Sequence, residues 1–428
     1  MSNERSGFSS RLGFVLATAG SAVGLGNIWR FPYLAAKYGG GTFLLTYLIL
    51  TLTFGFSLMI TEVALGRKAG TSAIRAFGHF SKKHTFIGYL TTIIPFIIFP
   101  YYCVIGGWVT KYALVSLQGG IHNAASDTFF TGFISKSAEP MICVLVFLIA
   151  TTVVVAGGVK GGVERVSTIM MPVLIVLLIG VSLFCITRPG AMAGVAYYLK
   201  PSLKGFGPTT ILAALGQLFY SMSLAMGIMI TFGSYMPKKA DLEKSVTQVE
   251  IFDTGVAFLA GLMIVPAVFV FSNGDSSMLA KGPSLMFVML PKVFNSMAFS
   301  GVIAAVLMDK FHMKRGTACI TMFIIALLLA VPSSLGFGAW SNITILGFDF
   351  LDFFDFISNS VLMPIAAFLT CLFVGYIIKP KVIVDEVESS GEFKRKSLFL
   401  IMVKYIAPIC IVAILVFSVL EGLGFITV

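Results

Sequence analysis

The chain has 428 residues, 57% of them hydrophobic and 11% charged, with a mean hydropathy of +0.96 and a formal net charge of +11. So little polar surface cannot cover a soluble globule of this size, and 43 glycines fit a helical membrane protein, where glycine is commoner than in soluble helices. The excess of positive charge does not mark a nucleic-acid partner, because the basic residues sit in short loops between apolar runs, as the positive-inside rule predicts for a chain whose partner is a lipid bilayer.

Six cysteines (Cys103, Cys143, Cys185, Cys319, Cys371, Cys410) fall in or at the edge of apolar segments without paired spacing, which points to buried thiols packing as small hydrophobes. His79, His84, His122 and His312 all fall in the loops, and no nucleophile–base pair or metal cluster stands out, so an enzyme is not expected. The first apolar run is long and has no small-residue cleavage site before its polar break, so no cleavable signal peptide is expected.

Spans of about 20 apolar residues are expected near 12–36, 42–65, 87–117, 140–157, 166–187, 210–236, 251–272, 317–335, 354–378 and 399–420. The first is interrupted by GSAVGLGN (20–27), whose three glycines each weaken a helix by roughly 0.5–1 kcal/mol relative to alanine. Arg67, Lys68, Arg75, Lys82 and Lys83 lie between the second and third spans with no acid among them. The sixth span is interrupted by SMSLAMG (221–227) and followed by Lys238, Lys239 and Lys244. Lys310, Lys314 and Arg315 precede the 317–335 span, and Lys394, Arg395 and Lys396 precede the last. Placing these charges in the cytoplasm puts the N-terminus, with Arg5 and Arg11, inside a multi-pass protein of the inner (plasma) membrane, and the loops 118–139, 188–209 and 273–297 outside. On that topology one span must fit between Val293 and Met308. Those residues reach about 24 Å as a helix, against a hydrocarbon core of about 30 Å, so span eight is too short.

Spans one and six are corresponding members of two five-helix halves, and glycine-interrupted segments in matching positions point to a transporter site on an inverted repeat. Unwinding frees carbonyls for a cation and turns helix N-terminal N–H groups toward an anion, and irregular backbone at membrane depth is tolerated only where it lines a cavity. Close packing through small residues is the competing explanation for the glycines. Asn27, Ser221 and Asp253 favour the site, since they offer hard oxygen ligands suited to Na+ on three apolar spans, and an intramembrane carboxylate is functional by default.

RLGFVLATAGSAVGLGNIWRFPYLAAKYGGGTFLLTY (11–47) and ALGQLFYSMSLAMGIMITFGSY (214–235) resemble the neurotransmitter:sodium symporters of the LeuT fold. The resemblance continues in order through YYCVIGGW (101–108), GGVERVSTIMMP (161–172), FDTGVAFLAGLMIVPAVF (252–269), GPSLMFVMLPKVF (282–294) and FDFLDFFDFISNSVLMP (348–364), nearly the whole chain. The absence of a twelfth span is similar to a bacterial branch with eleven spans that carries hydrophobic and aromatic amino acids. It implies an all-α polytopic membrane protein, a LeuT-type 5+5 inverted repeat with discontinuous helices 1 and 6. The single transporter domain, 1–428, would comprise repeat one (about 11–187), repeat two (about 210–378) and an extra C-terminal helix (about 399–420). The implied function is symport of hydrophobic or aromatic L-amino acids, small-molecule partners, with one or two Na+ ions by alternating access.

The resemblance also implies roles. A first Na+ falls to the Ala22 carbonyl, Asn27, Ser221 and Asp253, with the substrate carboxylate nearby. Chloride-dependent members need an anion beside this sodium; Asp253 could supply that charge, which implies chloride independence, and could carry a proton on the return step. Backbone N–H groups of Gly24, Leu25 and Gly26 would receive the carboxylate, with the Tyr102 hydroxyl closing on it, and Ser21, Ile98, Tyr220, Ser223 and Met226 would surround the side chain. Flexible Met226 suits varied large apolar shapes, and Gly24 stands where amine-transporting relatives carry a carboxylate. Arg30 with Asp355 or Asp352, lidded by Tyr220, would form the outer gate; Arg5 with Asp309, supported by Phe8 and Tyr235, would form the inner one. Glu62 would stabilise the unwound backbone.

One departure stands out. By comparison with the family, about 20 residues, one span at 1.5 Å each, are missing where MAFSG (297–301) runs into VIAAVLMDKF. The loss includes the hydroxyl pair that would complete a second sodium site with the carbonyls of Gly20 and Val23. The gap is a stretch missing from the chain as read, a natural or engineered deletion, or a helix eight rebuilt from the outer loop. The alternative function is therefore a transport-inactive membrane protein that binds amino acid or sodium.

Overall fold

The computed structural model describes residues 8, 10–24, 26–126, 128–202, 206–271, 285–296 and 316–422. Among them no β-strand occurs beyond one isolated bridge, Ile345 to Phe348. Seven helices are long and apolar enough to cross a membrane, eight if a bent pair counts as one span. In chain order the principal helices are α1 (Arg11–Ala22), α2 (Gly26–Lys37), α3 (Gly41–Ala69), α4 (Lys82–Leu117), α5 (Ala138–Ala156), α6 (Val159–Ile186), α7 (Pro208–Ser221), α8 (Ile228–Gly233), α9 (Leu242–Phe271), α10 (Leu285–Asn295), α11 (Gly316–Leu335), α12 (Phe350–Ile377), α13 (Lys381–Glu388) and α14 (Lys396–Leu420). Short helices such as Ala73–Phe80, which holds His79, stand where loops are expected from the sequence. Of the short eighth span expected between Val293 and Met308, the first residues belong to α10 or follow it directly, and residues 297–308 lie outside the described residues.

Both expected interruptions are present. α1 starts at Ser10, whose hydroxyl accepts from the Gly13 N–H at 3.0 Å and satisfies one orphan donor of the first turn. It ends at Ala22, and α2 resumes at Gly26 with an axis bent by 51°. The break between α7 and α8 is made differently. Ser223 (φ 52°), Ala225 (φ 62°) and Gly227 (φ 69°) all adopt the left-handed region, which non-glycine residues avoid.

The two broken helices are held by two continuous ones. α3 packs on α7 and α8, and α9 packs on α1, α2 and α6. The α3–α8 contact is close enough that a Cβ on Gly66 would lie 1.8 Å from the Ile230 carbonyl oxygen, and one on Gly233 would lie 2.2 Å from that of Val63. Small-residue packing is thus the role of these glycines, while Gly24 falls in the break between α1 and α2. Large apolar side chains such as Ile142, Val176, Leu183 and Ile409 are exposed on the outer helices, as lipid-facing residues are. Cys103, Cys143, Cys185 and Cys371 are buried free thiols and Cys410 is a half-buried one; the side chain of Cys319 lies outside the described residues.

Candidate functional site

Asp253 on α9 is wholly buried beside the break in the first span. Asn27 Nδ2 donates to its Oδ1 at 2.8 Å and to its backbone carbonyl at 2.9 Å. Ser221 Oγ, the last residue of α7, lies 3.1 and 2.9 Å from the two carboxylate oxygens, and the Tyr47 hydroxyl of α3 donates to Oδ2 at 3.3 Å. Among the described residues no Lys or Arg makes an ion pair with Asp253, so neutral dipoles alone surround this carboxylate. The sequence brings Asn27, Ser221 and Asp253 together as expected, on three different elements. Tyr47 joins them unforeseen, since a tyrosine on an apolar helix carries no signal of its own. Gln217 is a second unforeseen member, donating from Nε2 to the Gly26 carbonyl at 2.7 Å across the break.

The unwound segments touch each other. Ser223 Oγ donates to the Ser21 carbonyl at 3.2 Å. Glu62, buried on α3, accepts the Ala225 N–H at 2.6 Å and so satisfies a donor that the left-handed turn takes out of the helix ladder. Gly24 faces Tyr102, with a Cβ position 3.8 Å from the hydroxyl. A Cβ on Gly26 would come within 2.8 Å of the Tyr220 ring, so only glycine admits that ring. The Gly24 N–H is not free for a carboxylate here: it donates to Asn27 Oδ1 at 3.1 Å. Leu25 lies outside the described residues. Ala22, Val23, Ile98, Tyr220 and Met226 are buried in one core, Ser223 is buried beside them, and Ser21 and Tyr102 are half-buried. Gly20 turns toward α6, where its Cβ position would lie 2.9 Å from Ser167 Oγ. The helix-eight half of a second sodium site falls outside the described residues.

The gates depart from the simplest expectation. Arg30 and Asp355 make no direct ion pair. Asp355 is satisfied by neutral donors, the Tyr101 hydroxyl at 3.1 Å and Asn359 Nδ2, and the Arg30 guanidinium lies over the Tyr220 ring, 5.1 Å from its centre. Both charges line one cavity of about 290 Å³ together with Asp352, which is exposed. Arg5 and Asp309 lie outside the described residues. Phe8 and Tyr235, expected to support the inner gate, do meet: the Phe8 N–H donates to the Tyr235 carbonyl at 3.2 Å and its buried ring meets those of Phe14, Phe232 and Tyr235.

The model of the "sodium:neurotransmitter symporter family" matches residues 5–132 and 130–314. An uncharacterized sodium-dependent transporter of Bacillus subtilis (strain 168), YhdH, is 34% identical over 95% of this chain and 96% of its own length. A second, from Haemophilus influenzae, is 32% identical over 96% of this chain and 98% of its own. The human sodium- and chloride-dependent GABA transporter 2 is 26% identical over 69% of this chain and 57% of its own. The crystal structure of MhsT in complex with L-phenylalanine has a TM-score of 0.87 and 35% identity to this chain, covering 97% of it and 100% of MhsT.

Proposed function

Because this chain belongs to the sodium:neurotransmitter symporter family and has the LeuT fold of MhsT, we propose that it imports a large hydrophobic or aromatic L-amino acid together with Na+ by alternating access. Sodium dependence and a multi-pass membrane protein follow from the family; the substrate class and the residues are our reading. The observation that carries it is the buried Asn27–Ser221–Asp253 cluster at the two helix breaks, with Gly24 facing Tyr102 beside it. One Na+ is held there with the Ala22 carbonyl; Gly20 and Val23 would serve a second. The substrate carboxylate meets the α2 N-terminal end and the Tyr102 hydroxyl, where the helix dipole favours an anion. Ile98, Tyr220, Ser223 and Met226 enclose the side chain, and the relative MhsT was crystallised with L-phenylalanine.

The carboxylate of Asp253 replaces chloride as the negative charge beside sodium, so transport is chloride-independent. Arg30 and Asp355 close the outer side when the guanidinium leaves the Tyr220 ring, and Phe8 with Tyr235 seals the inner side. The N-terminus is cytoplasmic in a plasma (inner) membrane, and residues 11–187 and 210–378 form the two repeats. The test is uptake of labelled tryptophan, leucine and alanine into proteoliposomes with and without a sodium gradient, repeated with gluconate replacing chloride. The expected result is sodium-driven uptake of tryptophan and leucine that ignores the anion. Binding without sodium-driven uptake would instead establish a transport-inactive binding protein.

A further inference from the structure

Away from the helix breaks, the groove between α13 and α14, with a volume of about 630 Å³, combines charge and apolar surface in an unusual way. Lys379, Lys381 and Lys404 line it, and no carboxylate among the described residues makes an ion pair with any of the three at 4.0 Å or less. A fourth lysine on the groove, Lys396, is paired with Glu388 at 2.8 Å, and Asp385 also lines it. Leu400, Ile401 and Tyr405 supply the apolar side.

Two backbone features set the segments that carry Lys379 and Lys404. Lys379 has a φ of 67° just past the end of α12, the left-handed turn that commonly closes a helix, and this turn sets where the chain enters the groove. Lys404 lies inside the apolar span α14, in a wide π-type turn, Met402–Ile406, whose Lys404 carbonyl accepts from the Tyr376 hydroxyl of α12 at 2.6 Å. Such turns recur at functional sites; the Lys404 ammonium lies 5.4 Å from the centre of the Tyr405 ring and has no anionic partner among the described residues, the kind of partner a cation within a membrane span calls for. Exposed Tyr376 and Tyr405 mark the membrane–water boundary at this depth.

We propose that this groove binds the headgroup of an anionic phospholipid, its phosphate set among Lys379, Lys381 and Lys404 and an acyl chain lying along Ile401 and Tyr405. Basic pockets between spans on the cytoplasmic side are suited to such headgroups, and the topology proposed above puts this groove on that side. The position of Lys404 within a span favours a lipid over an acidic protein segment, which would have to enter the edge of the hydrocarbon region.

The test uses the full chain in a neutral detergent, with lipid binding read by native mass spectrometry and thermal unfolding read alongside. Phosphatidylglycerol should bind and raise the unfolding midpoint, and phosphatidylcholine should do neither. Lys379→Gln with Lys404→Gln should weaken phosphatidylglycerol binding by about five-fold for each lysine removed, and the corresponding arginine pair should retain it. Lys381→Gln alone, on an exposed face, should show the single-lysine loss even if the double variant folds poorly. Equal binding of phosphatidylcholine, or unchanged affinity in Lys381→Gln, overturns the proposal. So does equal protection by glycerol phosphate or by a poly-glutamate peptide, which would point to a free anion or an acidic protein partner.

Discussion

At the scale of single residues, the decisive group is Asp253. A carboxylate with no cationic partner among the described residues, buried under donors from Asn27, Ser221 and Tyr47, is poised to gain a cation, because a sodium ion supplies the charge that neutral dipoles offset only in part. Asp253→Asn keeps the shape and removes the charge. Sodium-dependent substrate binding should fall by ten-fold or more, about the worth of one hydrogen bond to a charged group, or become sensitive to chloride; a scintillation-proximity titration of sodium in chloride and in gluconate reads both. If the curves for the variant and the parent coincide, Asp253 is not the sodium ligand. Tyr47→Phe should weaken sodium in the same assay by a smaller factor and leave chloride without effect, because the carboxylate remains. The polar cluster was readable from sequence wherever a residue contrasted with its surroundings, as Asn27, Ser221 and Asp253 do. Tyr47 was not, since its hydroxyl acquires meaning only when α3 is laid against α7 and α9.

At the scale of elements, the two breaks differ in how far the sequence declares them. GSAVGLGN announces itself by its glycines. SMSLAMG, read as an interruption on its one glycine, declares itself less fully, because two of its left-handed positions, Ser223 and Ala225, carry side chains. What holds them there comes from elsewhere: Glu62 of α3 accepts the Ala225 N–H. Glu62→Ala leaves that buried donor without an acceptor, a loss of about 1–3 kcal/mol, and should lower the unfolding midpoint in detergent and weaken substrate binding together. Glu62→Gln keeps an acceptor oxygen in place and should recover most of both. Should the alanine and glutamine variants prove equally impaired, the charge of Glu62 and not its hydrogen bond is what the break requires. The neighbouring glycines show the limit of reading such residues from sequence alone. Gly66 and Gly233 fit the same pattern of small residues in apolar helices, yet they serve close packing of α3 on α8, and only the carbonyl facing each one reveals it.

At the scale of the whole molecule, charges that read as topology signals turn out to be structural as well. Arg67 and Lys238 fit the positive-inside pattern, but both converge on Glu386 of α13. Arg67 Nε is 2.8 Å from its carboxylate, Lys238 Nζ is 3.0 Å away, and Arg67 Nη1 also donates to the Ala240 carbonyl and to Ser390 Oγ. One buried guanidinium therefore ties the end of α3, the loop after α8 and the segment beyond α12. No local pattern could show this, because the partner lies 319 residues along the chain. Losing Arg67 leaves the buried Glu386 carboxylate with only the more exposed Lys238 and Lys68 ammonium groups, at a cost of up to about 3–5 kcal/mol. Arg67→Ala should therefore lower the unfolding midpoint far more than an exposed lysine substitution such as Lys239→Ala. Arg67→Lys should fall in between, since an ammonium cannot reproduce the planar fork that serves Glu386, Ala240 and Ser390 at once. Adding Glu386→Ala to Arg67→Ala should restore part of the loss, because the buried carboxylate left behind keeps only the more exposed ammonium groups of Lys238 and Lys68 as partners. Thermal unfolding of the parent and the four variants in one detergent separates the cases: if the double variant is no better than Arg67→Ala, packing of the guanidinium and its bonds to the carbonyls, and not its pairing with Glu386, hold this end of the bundle together.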